Sequence, residues 1–300
     1  MTIDSSRLLH FKLNESAGTT VTDSSGDGNT GTLANFTNVP NCWVGTGSEG
    51  KRSLSGPGGL DFGQGADDTC TFAFEDPGDE TSMMFFLRWD GTSTYPRIIH
   101  LGRGDSTPHH YIYVNHVYTK VEMSIPFSGG PQYFGPKPGT TTADGKWHHY
   151  AFTYDASNYA NNAIVYIDGS PVEIDDSHSS GDRTNLADAL RDYGAAVGNV
   201  TPSGGNNRGL DGVLSDVRIY NRILTANEID QIANFRSYET AEALDLKADF
   251  TIDRYKQLSR QYSIRGGMDN SGSLQAPFST GARGGANIRN RSKVYQVKKG

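Results

Sequence analysis

The sequence predicts an all-β fold: a two-sheet antiparallel sandwich with one short closing helix, followed by an extended C-terminal segment with some helix. Three observations carry this. Short runs of aromatic and β-branched residues recur between clusters of Gly, Asn, Asp and Ser, which is the pattern of strands and turns. Glycine is abundant at 36 residues, and aromatics reach 10% of the chain. A strong helix signature stands out near residue 225, after most of the strand signals. The chain is long enough for a substantial core without disulfide staples. Its two cysteines, Cys42 and Cys70, are too few for a framework, and whether they bridge is left open.

The elements follow in order. "LLHFKL" (8–13) alternates, with Leu9, Phe11 and Leu13 on one face. "MMFFLRW" (83–89) and "RIIHLG" (97–102) are apolar runs too short for isolated helices. "HYIYVNHVY" (110–118) sets Tyr111, Tyr113 and Asn115 on one face and Ile112, Val114 and His116 on the other. "PFSGGPQYFGPKPG" (126–139) reads as a long Pro/Gly loop presenting Tyr133 and Phe134. "AIVYIDGSPVEI" (163–174) is a hairpin around Asp168-Gly169, a pair suited to the positive φ angles of a type I′ turn. "YGAAVGNV" (193–200) and "GLDGVLSDVRIYNRIL" (209–224) supply further strands. In "LTANEIDQIANF", Thr225 is the N-cap and Glu228 completes a capping box, with Ile229, Ile232 and Ala233 at helical spacing.

Charge is divided unevenly. Residues 251–300 hold ten Lys/Arg against two Asp/Glu, a net +8, while the first 250 residues hold 17 against 32, a net −15. An acidic body with a basic tail marks an interaction segment. No apolar run approaches the ~18 residues of a membrane span, so no membrane partner is expected. The start, "MTIDSSRLLHFKLNE", lacks the basic, apolar and small-residue regions of a secretory signal. Either Met1 is the native start and the protein is made in the cytoplasm without export by the usual route, or the chain is a mature fragment with an added Met.

Three segments together resemble the laminin-G-like, concanavalin A-like jelly-roll superfamily of lectins and glucanases. They are "HFKLNESAGTTVTDSSGDGNTGTL" (10–33), "GKWHHYAFTYD" (145–155) with "IVYIDGSPV" after it, and "VGNVTPSGGNNRGLDGVLSDVRIYNRILTANEIDQI" (197–232). The resemblance covers about residues 7–236 and implies a jelly-roll domain over 1–236, with a basic anchoring segment over 237–300.

Several motifs decide between chemistry and structure. On a strand, Trp147, His149 and Ala151 share one face, and His148, Tyr150, Phe152 and Tyr154 share the other. Adjacent histidines on a strand point apart and cannot ligate one metal together, so both are expected to be core residues satisfied by hydrogen bonds. Glucanases of this superfamily need carboxylates alternating along a strand, E-x-D-x-x-E. The nearest match, Glu228-Ile-Asp230-Gln-Ile-Ala233, lacks the third carboxylate and lies on the predicted helix. No enzyme is expected.

The resemblance also implies a Ca²⁺ site formed by Asp23, Asp27 and Asn29 of the Gly-rich loop with Asp211 and Asp216 of the closing strand. The other reading is an Asx-turn loop whose carboxylates take backbone N–H groups. The Arg103-Gly104-Asp105 tripeptide is read as chance. His109 and His110 beside it, with Tyr133 and Phe134, are candidate ligand contacts; for Tyr133 and Phe134 the other reading is packing against the jelly roll.

Partner contacts are expected from Arg254, Lys256, Arg260, Arg265, Phe278, Arg283, Arg289, Arg291, Lys293 and Tyr295 of the basic segment. No nucleic-acid motif accompanies them and the positive charges are dispersed, so an acidic protein surface is the expected partner. The resulting expectation is a non-enzymatic, multi-copy virion structural protein, a bacteriophage capsid decoration or tail-associated protein clamped to a capsid or tail protein. Its location would be the virion. The alternative is a carbohydrate-binding module of a secreted or cell-surface protein, whose partner would be a host-surface glycan.

Overall fold

The computed structural model describes residues 5–44, 58–63, 67–74, 77–89, 95–102, 110–115, 120–127, 130–138, 140, 143–155, 163–175, 194–200, 208–234, 267–268 and 274–275. The chain divides into two compact units, Met1–Ala243 and Leu244–Gly300.

The first unit opens with β1 (Arg7–Phe11), β2 (Thr20–Val21), β3 (Gly31–Ala34), the single turn α1 (Val39–Cys42), β4 (Trp43–Val44), β5 (Gly59–Asp61) and β6 (Thr69–Phe72). Its middle holds β7 (Glu80–Trp89), β8 (Arg97–Leu101), β9 (His110–Asn115), β10 (Lys120–Phe127), β11 (Gly130–Pro136) and β12 (Trp147–Asp155). It closes with β13 (Ile164–Ile167), β14 (Ser170–Val172), β15 (Ile174–Asp175), β16 (Ala195–Val197), β17 (Gly212–Tyr220) and the helix α2 (Ala226–Asn234). In the second unit the described residues form β18 (Gly267–Met268) and β19 (Leu274–Gln275), an antiparallel pair.

The strands of the first unit make two antiparallel sheets. Sheet one has eight strands in the order β14-β13-β12-β7-β17-β5-β4, with β1 also on β17. Sheet two has nine, in the order β15-β11-β10-β9-β8-β16-β6-β3-β2. Strand alternation builds the core between them: Met83, Phe85 and Leu87 of β7 and Tyr150, Phe152 and Tyr154 of β12 meet Ile112, Val121 and Met123 of sheet two. The opposite phase of sheet one, Met84, Ala151, Tyr166 and Tyr220, forms a second cluster with Leu224, Ile229 and Ile232. Helix α2 covers that face, and its start has the expected capping box. Glu228 Oε2 accepts from Thr225 N–H at 2.8 Å, and Glu228 N–H donates to Thr225 Oγ1 at 3.3 Å.

The hairpin at 168–169 has φ values of 51° and 84°, the left-handed pair that a type I′ turn requires. One expected loop is corrected. Residues 126–139 are mostly strand: β10 pairs with β11 from Met123↔Phe134 to Phe127↔Gly130. The register sets Pro126 opposite Pro131, which confines the missing N–H groups of both prolines to one rung. Cys42 and Cys70 are both free and buried, and burial pushes the Cys42 thiol up to about 11.

Candidate functional site

In β10 the sequence alternates Lys120, Glu122 and Ser124 against Val121, Met123 and Ile125. The second set enters the core, so the period of two turns the first set onto the outer face of sheet two. Neighbouring strands add to this face at fixed registers. Tyr113 of β9 lies opposite Glu122, Asn115 opposite Lys120, and Tyr133 of β11 opposite Ser124.

The resulting floor is charged, polar and buried. Glu122 is 0% exposed and Lys120 1%. Glu122 Oε2 accepts from Tyr113 Oη–H at 2.6 Å and from Asn115 Nδ2–H at 2.8 Å. Lys120 Nζ stands 2.8 Å from Glu122 Oε1 and 2.9 Å from Asp175 Oδ2, so one ammonium ties two carboxylates together. Gly135 faces Glu122 because a Cβ there would lie 2.6 Å from Glu122 Cγ. Ser124 Oγ, also fully buried, has no hydrogen-bond partner among the described residues.

Above the floor lies a row of tyrosines. Tyr95 and Tyr133 flank Tyr113, each with its ring centroid 6.1 Å from that of Tyr113. Tyr95 and Tyr133 are half-buried and form the accessible rim. Tyr95 has φ 53°, a left-handed conformation that is rare for a bulky side chain. Arg97 Nη1 donates to its carbonyl at 3.0 Å. A conformation of this kind persists where the surrounding structure over-determines the backbone. Arg97 lies over the Tyr113 ring, Cζ 5.3 Å from its centroid, and Arg208 over Tyr95 at 5.9 Å.

A family model described as the concanavalin A-like lectin/glucanases superfamily matches residues 64–230, more than half of the chain. The chain belongs to that superfamily. No curated protein sequence matches it. Among solved structures, it is similar to the binding domain of botulinum neurotoxin serotype C1 at 14% identity. That match covers 79% of this chain and 53% of the other, with a TM-score of 0.54. The binding domain of botulinum neurotoxin DC in complex with SialylT is 15% identical over 79% and 53%, TM-score 0.51. Trypanosoma rangeli sialidase in complex with 2,3-difluorosialic acid is 13% identical over 78% and 34%, TM-score 0.50. The chain thus spans about half the length of the neurotoxin domains and a third of the sialidase. At these identities the likeness is one of lectin-like β-sandwich fold.

Within this lectin-like domain, several residues singled out in the sequence take other places. Phe134 is 0% exposed and packs on Tyr154 in the core, so it offers no ligand a face; Tyr133, one residue earlier, points outward. His109 lies outside the described residues, as do Arg103 to Asp105. Of His110, only the backbone in β9 is described. The ten partner-contact residues, from Arg254 to Tyr295, also lie outside them.

The calcium candidates are not brought together. Asp23 follows the turn reading: Oδ1 accepts from His10 N–H and Ser25 N–H, and Oδ2 from Ser25 Oγ–H and Asn29 N–H. Asn29 turns its amide to the Leu8 carbonyl, and Asp27 is exposed. Asp211 lies elsewhere, with Asp61 beside Gly63. Asp216 sits at a bulge in β17 with φ 56°. It is buried and gripped by Arg218 through both oxygens at 2.8 and 3.0 Å, and it accepts from His10 Nε2–H at 2.8 Å. Among the described residues no three His, Cys, Asp or Glu side chains converge as a metal site. A cation at Asp216 would stand against the Arg218 guanidinium, so Asp216 does not fit the role of a Ca²⁺ ligand.

The histidines divide differently from expectation. His148 is partly exposed and bonded to Asp168 Oδ2 at 2.8 Å and Asp144 Oδ1 at 3.2 Å. It lies at the sheet margin, since β12 begins at Trp147. His149 is core, 1% exposed against Phe86, but neither ring nitrogen has a hydrogen-bond partner among the described residues. Burial holds its imidazole down at about 4, with Asp216 acting against that shift.

Proposed function

We propose that this domain binds a glycan without transforming it, using the outer face of sheet two. The row of Tyr95, Tyr113 and Tyr133 carries the reading. A pyranose ring presents C–H faces that stack on aromatic rings and hydroxyls that seek polar groups, and tyrosine supplies both kinds of contact. The buried Glu122 carboxylate beneath fixes the central ring by accepting from the Tyr113 hydroxyl. The non-catalytic part rests on that cluster as well. Retaining glycosidases hold two carboxyl groups about 5–5.5 Å apart with the scissile bond between them. Here the Lys120 ammonium occupies the space between Glu122 and Asp175. Glu122's other oxygen is taken by Tyr113 and Asn115.

The test is retention on a panel of immobilised neutral and acidic polysaccharides. The chain should be retained on at least one of them. Tyr133→Ala and Tyr95→Ala should each weaken that retention about tenfold, since a stacked aromatic contact is worth roughly 0.5–1.5 kcal/mol beyond the area it buries, and the lost apolar area adds to that. Release of reducing sugar, or full retention by both variants, would sink the reading.

The wider setting is also a proposal: multi-copy display on a virion or similar assembly, through the basic segment. The +8 of residues 251–300 against the −15 of the rest supports it. Deleting residues 237–300 should leave the melting transition of the remainder intact and abolish co-sedimentation with the assembly. A truncated chain that still co-sediments would refute this role for the segment.

A further inference from the structure

The tilt of the three tyrosines limits what can lie on them. The ring plane of Tyr95 stands 40° from that of Tyr113, and the plane of Tyr133 stands 68° from it. Two rings inclined by different amounts to the same third ring cannot be parallel to each other. Tyr95 and Tyr133 are the half-exposed pair, and Tyr113, 4% exposed, is the wedge between them. The centroids of the outer two are no farther apart than twice 6.1 Å, a span that a trisaccharide covers.

The fold sets the position of each ring. Tyr113 is anchored through its hydroxyl to the buried Glu122 carboxylate at 2.6 Å, and Arg97 braces its ring. Tyr133 is carried by β11 in register with Ser124 of β10, the strand that also carries Glu122. Tyr95 keeps its left-handed backbone between the Arg97 donor on its carbonyl and Pro96, whose own ring locks the next φ. A ligand therefore meets rings already set at an angle, which lowers the ordering cost of binding. A rigid flat face that lies flush on one outer ring meets the other only along an edge, and the missing contacts forfeit most of the second stacking interaction. A single glycan chain can follow the angle, because each glycosidic bond turns one sugar relative to the next.

We propose that the ligand is a single soluble chain that turns between Tyr95 and Tyr133, not the flat face of a crystalline polysaccharide. This rests on the glycan reading above. The full chain is tested for retention on six polymers. Laminarin, amylose and agarose are chains that turn along their length, whereas microcrystalline cellulose, crystalline chitin and crystalline mannan present flat faces. All six are uncharged, so the basic segment at 251–300 gains no counter-charge from them.

At least one turning polymer should retain the chain about tenfold more strongly than every crystalline one, the factor expected for a second stacked ring. Tyr95→Ala and Tyr133→Ala should each lower retention on that polymer by a similar factor, because one chain bridges both rings. Equal or stronger retention on any crystalline face would overturn the proposal and leave the glycan reading standing. Retention weakened by only one of the two substitutions would overturn the bridge, again without touching that reading. Full retention by both variants would remove the proposal and the glycan reading together. Absence of retention on all six polymers refutes the proposal, and the wider polysaccharide panel then decides separately whether the glycan reading falls with it.

Discussion

Asp216→Asn should destabilise the domain by about 3–5 kcal/mol, the effect of breaking a buried ion pair and leaving its partner charged. Asp216 is buried at the bulge of β17, and the retained partner would be Arg218, 4% exposed and gripped through two hydrogen bonds. Burial by itself would raise the Asp216 carboxyl, but Arg218 and His10 bring it well below the usual carboxylate range. An asparagine keeps the shape and loses the charge, so the guanidinium would be desolvated without an opposing carboxylate. In a domain of this size the melting temperature should fall by on the order of 10 °C. Unchanged melting would mean that Arg218 is neutralised elsewhere. A loss of stability that appears only with added calcium would revive the metal reading of Asp216.

Acidification between pH 6.5 and 4 should destabilise the fold through His10 and His149. Burial depresses both to about 4, with Arg218 adding to the effect at His10 and Asp216 opposing it at both. The folded state thus holds both rings neutral, while the unfolded chain protonates them near 6.5. Their contribution is complete above pH 6.5, falls as pH drops through the window, and is lost by pH 4. Each histidine accounts for roughly 3 kcal/mol over those 2.5 units, at about 1.4 kcal/mol per unit. His149→Phe, beside Phe86, should remove about half of this acid sensitivity, because the phenyl ring cannot take a proton. Denaturant titrations at pH 7, 5.5 and 4.5 measure it. Equal pH dependence in the wild type and His149→Phe would show that His149 protonates freely in the folded state.

What the sequence disclosed was local, and what it withheld depends on neighbours. The capping box of Thr225 and Glu228 and the Asp168-Gly169 turn are complete within four residues, and both stand as read. The two faces of β12 followed from alternation alone, with Tyr150, Phe152 and Tyr154 in the main core and Ala151 under α2. Composition misled at 126–139, where Pro and Gly density concealed the alternation that buries Phe134 and turns Tyr133 outward. The Lys120, Glu122, Ser124 face went unread although its alternation was visible. A polar phase on one strand means solvent until the sheet shows Tyr113, Asn115 and Asp175 closing on it. Asp216 could not be separated from a metal ligand without the bulge that aims it at Arg218, two residues along the same strand.

The proposed ligand site is the tyrosine row on the outer face of sheet two. The most direct measurement is an NMR titration of ¹³C-tyrosine-labelled chain with the oligosaccharide retained most strongly from the panel. Ring resonances of Tyr95, Tyr113 and Tyr133 should shift together and saturate with a single affinity, while Tyr150 and Tyr154 in the core stay within error. Saturable binding that leaves the three tyrosines unmoved would place the ligand elsewhere and contradict the account.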